Sequence, residues 1–475
     1  MKFDYDILII GGGSAGITSA LTAIGFGKRV AIVEKYKLGG ECTWSGCIPS
    51  KALVKRAKLA KEMHKATDLG FGMCQLPENI GIMDNVRDVI NGVYAHETPE
   101  IMQSKGIDVI IGEAKFMDKN TVDVGGRPVT ADKFIICTGS IPFVPPIPGL
   151  ENVAYRTNTN LFEMPQLPRT MVVIGGGPIG MEMAQAFQRL GVQVTVILRR
   201  EVILERDNHE LGKLLMKRLH KEGIRFRANT EIQRIDPGKI TITHYDQSDE
   251  VVEFDEILIA TGRRIDLSNL GLEKIGVAYT ERGLVVDEHL ETSQKGIYGA
   301  GDSVGPYRLS HIAENHGITA VVNICLPVKR KVSYEDVPWV TFTDPEMAHM
   351  GMNEAEAREL LGSNLRIYKQ DYSELDRAIT ERETLGRAIV YCDRKGMVYG
   401  ADILGNRAGE LIHELLMFKF YGISLKKAAD MIYAYPTYSE IVRKLGKQAY
   451  ISELESNPLV KAASLVMGRR SKKKK

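Results

Sequence analysis

Two glycine motifs, each set between a strand and a helix, constrain this chain more than any other feature of its sequence. The first is YDILIIGGGSAG, in which Gly11, Gly13 and Gly16 keep the spacing G-x-G-x-x-G directly after an apolar run. Gly11 permits the tight turn, Gly13 lets a pyrophosphate approach the backbone, and Gly16 lets the following helix pack close to the strand. Phosphate charge then sits at a helix N-terminus, where free N–H groups point outward. Glu34 ends the next strand, about 20 residues on, where a carboxylate can bind both ribose hydroxyls. An acidic residue there favours an unphosphorylated ribose, as in FAD or NAD.

The second motif, TMVVIGGGPIGMEMAQAFQRLGVQVTVILRR, repeats the spacing at Gly175, Gly177 and Gly180. Its second strand ends differently. Leu198 stands where an acidic residue would select NAD, and Arg199 and Arg200 follow. Guanidinium groups suit a 2′-phosphate through charge and forked hydrogen bonds, and Arg206 on the next loop is a further candidate. This unit is therefore expected to take NADPH in preference to NADH. Two dinucleotide sites in one chain imply electron transfer from one cofactor to the other.

The segment LGGECTWSGCIPSKAL (38–53) indicates where the electrons go next. Cys42 and Cys47 are separated by four residues at the start of an expected helix, with Pro49 just inside it. A helix N-terminus lowers a thiol pKa and stabilises the thiolate that performs exchange. A zinc site would need further ligands, and the one nearby histidine is His64, so no metal site is expected. The pair reads as a redox-active disulfide.

A chain of 475 residues suggests about three domains. Its 62 basic and 60 acidic residues leave a net charge of +2 and no electrostatic case for a nucleic-acid partner. No run of about 18 apolar residues reads as a transmembrane helix. The start MKFDYDILII reads as a first strand and not as a signal peptide, so a cytoplasmic protein is expected. In that compartment six cysteines do not suggest a structural disulfide framework. Cys137 reads as core, and Cys74, Cys325 and Cys392 carry no partner signal. The tail NPLVKAASLVMGRRSKKKK reads as a short helix with a solvated basic end, contact with an anionic membrane surface being the lesser reading.

The motifs GGxCxxxGCIPSK (39–51), TGSxP (138–142), ATGRR (260–264) and YGAGD (298–302) stand in this order. Through them residues 4–450 resemble the class I pyridine nucleotide-disulfide oxidoreductases: dihydrolipoamide dehydrogenase, glutathione reductase and mercuric reductase. The resemblance implies an α/β fold of two Rossmann-like dinucleotide-binding domains (FAD and NAD(P)) plus an α+β C-terminal dimerisation domain, assembled as a homodimer. The implied boundaries are 1–150 with 276–332 for FAD, 151–275 for NAD(P), 333–452 for the interface and 453–475 for the tail.

The resemblance also assigns residues. Gly11, Gly13, Ser14, Ala15, Gly16, Glu34 and Lys35 would hold FAD with Gly40, Glu41, Cys42, Lys51, Thr138, Gly139, Asp302, His311 and Ala313. Gly175, Gly177, Ile179, Gly180, Glu182, Arg199, Arg200 and Gly262 would hold NAD(P). Cys47 would be the flavin-facing thiol and Cys42 the interchange thiol that attacks the substrate. Lys51 would sit near flavin N5 and pair with Glu182, which holds it in place.

The departures from the family pattern matter as much. Relatives that handle dithiols carry His-Pro-Thr near the C-terminus, with a glutamate orienting the histidine base. Here the segment is AYPTYSE (434–440): Pro436, Thr437 and Glu440 remain, and Tyr435 takes the histidine's place. A phenol with a pKa near 10 is a poor base at pH 7. Tyr435 and Glu440 are retained as catalytic candidates. Mercuric reductase shares the tyrosine, the arginine after the second unit and a stretch like DRAITERETLGRAIV (376–390). It ends, however, in a cysteine pair that collects soft Hg(II), and no cysteine follows Cys392 here. Trp44, between the redox cysteines, is a further departure whose role stays open. The expected activity is electron transfer from NADPH through FAD to the cysteine pair and on to a small or protein disulfide. Direct flavin reduction of a metal ion, quinone or dioxygen, or a redox-sensing subunit, are the alternatives.

Overall fold

The computed structural model describes residues 2–71, 81–456, 458 and 460. The chain divides into two compact units, Met1–Glu201 with Gly223–Ser333, and Val202–Glu222 with Tyr334–Lys475. This division is coarser than the three domains expected from the sequence. It also assigns the stretch 202–222, expected inside the NAD(P) domain, to the second unit. Cys74 and most of the basic tail lie outside the described residues.

The first unit contains both glycine motifs. Its larger sheet runs in the order Ile107–Ile111, Val30–Glu34, Tyr5–Ile10, Arg127–Ile136, with Ile297–Gly299 also beside the last strand. These pairings are parallel, and an antiparallel meander (Ala114–Asp118, Thr121–Val124) continues from the start of Arg127–Ile136. A parallel strand covered on both faces must be apolar throughout. In Tyr5–Ile10, Ile7 and Ile9 join one buried cluster with Ala20 and Val321, while Leu8 and Ile10 join another with Phe116 and Phe134. The second glycine motif lies on a smaller parallel sheet ordered Arg225–Arg227, Gln193–Ile197, Thr170–Ile174, Glu256–Ile259. The shared pattern explains why the two motifs read alike. Each glycine turn leaves the C-terminal end of a buried central strand and starts a 12-residue helix, Ser14–Gly25 or Pro178–Arg189.

The second unit is built on a five-stranded antiparallel sheet ordered Pro338–Thr341, Glu346–Gly351, Val398–Gly405, Arg387–Cys392, Arg366–Asp371. Its apolar core gathers Ala348, Tyr372, Val390 and Ile403 from this region with Leu411, Leu415, Ile441 and Leu445 from the helices Ala408–Phe420 and Glu440–Ser456. No helix among the described residues is long and apolar enough to cross a membrane.

A polar cluster joins the stretch 202–222 to this sheet. His349 is 2% exposed; its Nδ1 lies 2.7 Å from Asp402 Oδ1 and its Nε2 lies 2.9 Å from the Gly351 carbonyl. Neither a carboxylate nor a carbonyl can donate, so the charged ring, with hydrogen on both nitrogens, is the form that satisfies both contacts. Burial works against that charge. The Asp402 hydrogen bond and charge, the Gly351 carbonyl and Asp207 outweigh it and hold the His349 pKa above its ordinary 6.5. Trp339 stacks on the ring at 4.0 Å and donates its indole N–H to Asp207, 2.8 Å away. Tyr391 donates to Asp402 at 2.6 Å and accepts from Asn208 at 3.0 Å.

Because the folded-state pKa is raised, the stabilisation from charged His349 is complete below pH 6.5 and declines as pH climbs through the raised value. Replacing His349 with Leu leaves the Asp402 carboxylate buried with Tyr391 as its remaining donor. It should cost roughly 3–5 kcal/mol in denaturant unfolding at neutral pH, and the loss should shrink as pH is raised.

Candidate active site

The cysteine segment folds as two helices and not as the single helix start expected. Cys42 lies within the short helix Gly40–Trp44, and Cys47 is the first residue of the 22-residue helix Cys47–Asp68. Gly46 between them has no room for a side chain, because a Cβ would stand 2.8 Å from the Glu41 carbonyl. The two cysteines lie in hydrogen-bond contact with each other.

The two sulfurs are not equivalent. The Cys47 pKa is drawn down to about 6, first by the hydrogen bond from Cys42, then by the Ser310 hydroxyl and the Lys51 charge, against burial and Glu182. The Cys42 pKa is pushed up by its bond to Cys47 and by burial. The surroundings thus favour the proton on Cys42 and negative charge on Cys47, at a helix N-terminus.

Lys51 stands one turn into the same long helix. Its Nζ is 2.8 Å from Glu182 Oε2, and the Glu182 side chain is 5% exposed on the helix that follows the second glycine motif. The pairing expected from the sequence is therefore present. It brings the redox helix against the second dinucleotide unit.

The first glycine turn has the shape that FAD requires. A Cβ at Gly11 would sit 2.4 Å from the Cys137 carbonyl oxygen, and one at Gly16 would sit 1.9 Å from the Gly11 oxygen. Over Gly13 the space is free up to Gly40, 3.7 Å away, so backbone is presented openly at the start of the helix. Ser14 and Ala15 begin that helix. One Glu34 oxygen accepts from the Gly12 N–H at 2.7 Å and the other from the Tyr36 N–H at 2.8 Å, leaving lone pairs on each for ribose hydroxyls. Asp302 accepts from Ser140 Oγ at 2.6 Å, next to Thr138 and Gly139 at the end of the strand Arg127–Ile136. His311 and the buried Ala313 lie in the first turn of the helix Ser310–Cys325, His311 on its exposed side. Lys35 pairs with Glu113 at 3.1 Å on the exposed surface. These residues fit an FAD adenosine and pyrophosphate.

In the second glycine turn, a Cβ at Gly177 would meet nothing within 4 Å, nor would one at Gly262, so both backbones are open to a ligand. Gly175 and Gly180 are closed by the Ala260 and Gly175 carbonyls, as at Gly11 and Gly16. Ile179 is exposed on the first turn of the helix. Arg199 and Arg200 are exposed just beyond the strand Gln193–Ile197, and Arg206 is also exposed.

Several contributors escaped the sequence reading. Arg263 of ATGRR donates to the Ser140 side chain and carbonyl, each at 2.8 Å, and forms an ion pair with Glu41. Asn158 donates to Glu41 at 3.3 Å and to the Ser45 carbonyl at 3.4 Å, bracing the cysteine loop. Trp44 donates its indole N–H to the Leu38 carbonyl at 2.8 Å and packs on Tyr94 at 4.7 Å, with Lys37 over its ring. It braces this loop. Cys137 is buried core.

In the second unit, Tyr435 is exposed and donates to Asp376 at 2.9 Å, which raises its pKa further above 10. Glu440 is buried beside Arg443, 3.7 Å away, and the phenol is oriented by Asp376 instead. Tyr438 is buried and donates to Glu381 at 2.8 Å.

The family model described as pyridine nucleotide-disulphide oxidoreductase matches residues 5–317, and its dimerisation domain matches residues 337–445. Mercuric reductase of Bacillus cereus is 33% identical over 448 residues, spanning 92% of this chain and 70% of that protein. Dihydrolipoyl dehydrogenase of Thermus scotoductus is 33% identical over 447 residues, spanning 92% and 95%. Among solved structures, the Cu(II) complex of the HOCl-induced flavoprotein disulfide reductase RclA from Escherichia coli matches with a TM-score of 0.83 at 27% identity. It covers 94% of this chain and 100% of that one.

Lys51→Met removes the cation that favours the Cys47 thiolate. The thiolate titration of the reduced protein, followed by ultraviolet absorbance, should move up from about 6 by about one pH unit.

Proposed function

The chain belongs to the pyridine nucleotide-disulphide oxidoreductase family, and on that premise we propose an NADPH-preferring reductase whose electrons leave through Cys42 to a disulfide substrate. Members of this family are flavoprotein enzymes that work with FAD and a nicotinamide nucleotide. Bound FAD supplies the two-electron relay between nicotinamide and sulfur. The chain's own residues hold the parts in place. The turn at Gly11, Gly13 and Gly16 takes the FAD pyrophosphate, with Glu34 on the ribose. The turn at Gly175, Gly177 and Gly180 takes the nicotinamide dinucleotide, and Arg199 and Arg200 meet its 2′-phosphate.

The observation that carries the reading is the placing of Cys47 at a helix start, in contact with Cys42 and one turn before the Lys51–Glu182 pair. When Cys42 gives up that proton, its sulfur attacks the substrate disulfide and expels one substrate thiolate. Cys47 then attacks the mixed disulfide, releasing the second thiolate and closing the Cys42–Cys47 bond. Tyr435, bound to Asp376 and displaced further from neutrality, offers no base to this exchange. A substrate whose leaving thiol is already acidic fits best, since it departs without being protonated. The dimerisation domain supports a homodimer as the working unit, and a reducing cytoplasm suits a pair that cycles between dithiol and disulfide.

A second reading is a metal ion as electron acceptor. It is favoured by the mercuric reductases among the relatives and by the Cu(II) complex of RclA.

Anaerobic NADPH oxidation measured against a panel of disulfides, Cu(II), Hg(II) and quinones separates the two. Cys42→Ser should reduce disulfide turnover to background; undiminished turnover would sink the exchange reading. Metal reduction that survives loss of both cysteines would select the second. Replacing Arg199 and Arg200 together with Ala should lower the NADPH-over-NADH preference by roughly tenfold or more, the worth of a charged hydrogen bond.

A further inference from the structure

The exchange at Cys42 and Cys47 leaves one contacting group unused, the hydroxyl of Ser310. Ser310 opens the helix Ser310–Cys325 and reaches the site from far along the chain. Its Oγ lies 3.2 Å from Cys47 Sγ. Among the described residues, the partners of the hydroxyl are the two sulfurs. With the negative charge on Cys47, the Ser310 O–H is the donor of this contact.

The groups facing the pair come from four other elements. Cys42 meets the Ser14 hydroxyl from the first glycine helix, and Cys47 meets Cys42 from the short helix, Lys51 from the redox helix and Glu182 from the second glycine helix. Lys51 is already paired with Glu182, and Glu182 pushes charge off Cys47, so the two partly cancel. A neutral donor aimed at the sulfur carries no such penalty. It is a charge-assisted hydrogen bond, stronger than its neutral counterpart.

We infer that Ser310 is a further catalytic residue, whose hydroxyl hydrogen fixes the negative charge on Cys47 and so keeps the proton on Cys42 until substrate arrives. The inference rests on the reading of Cys42 and Cys47 as the redox pair. It also supplies what the C-terminal tyrosine does not, a hydrogen-bond donor in direct contact with the Cys47 sulfur.

The test uses the FAD-loaded dimer in a Cys42→Ser background, where one site sulfur titrates. Ultraviolet thiolate absorbance is followed against pH for the parent, Ser310→Ala, Ser310→Thr and Lys51→Met. Ser310→Ala should raise the titration midpoint by about one pH unit, a tenfold loss of thiolate at a pH below the midpoint. Ser310→Thr, which keeps the hydroxyl, should restore the parent value. A midpoint unmoved in Ser310→Ala while Lys51→Met shifts it overturns the role of Ser310 alone. Equal shifts in the Ala and Thr variants overturn it as well, since a packing effect would then be the cause. A parent that shows no thiolate titration below the ordinary cysteine range overturns the redox reading and this inference with it.

Discussion

The ion pair between Lys51 and Glu182 is the contact on which the site depends. One partner follows the redox cysteines by a single turn, and the other sits on the helix behind the second glycine turn. Two dinucleotide-binding motifs could fold on one chain without addressing a common centre. A nearly buried carboxylate that needs its cation indexes one to the other. The cysteine pair, the first glycine turn and the second glycine helix then converge within a few ångströms of the same helix start.

Around that contact, polarity is distributed with a consistent sign. Cys47 collects donors: the Cys42 thiol, the Ser310 hydroxyl and the Lys51 charge. The acidic groups close to the site are each tied to their own partners, Glu41 by Arg263 and Asn158, and Asp302 by Ser140. A thiolate can survive in a half-buried place only under such an arrangement. The tyrosine at 435 follows the opposite logic. Its phenol is exposed and donates to a carboxylate, so the proton is held more firmly and not released.

Much of this was legible in the sequence, because its signals are local. The glycine spacing, the buried strand before it and the acidic strand end lie within about thirty residues of each other, and periodicity alone places them. The cysteine pair is equally compact. What escaped reading is what the fold brings together from afar. Ser310 meets Cys47, Arg263 meets Glu41 and Asn158 meets Glu41 across 263, 222 and 117 positions. No spacing rule announces such pairs. Asp376 shows the same limit at shorter range: the segments 376–390 and 434–440 were each singled out, but their hydrogen bond was not foreseen. The split of the cysteine segment into two helices was missed for a different reason. A turn at Gly46 is decided by a close backbone approach, which composition does not reveal.

The placement of Val202–Glu222 in the second unit has a consequence for how the protein is made. On the ribosome this stretch emerges about 110 residues ahead of the rest of its unit, which begins at Tyr334. At ~5–20 residues per second the wait is on the order of ten seconds. Throughout it the stripe Leu211, Leu215 and Leu219, buried in the finished chain, belongs to a half-built unit. Asp207 and Asn208 likewise lack Trp339 and Tyr391 until those residues are synthesised. The nascent protein therefore spends part of its synthesis with Asp207 and Asn208 short of the partners that hold them in the finished chain.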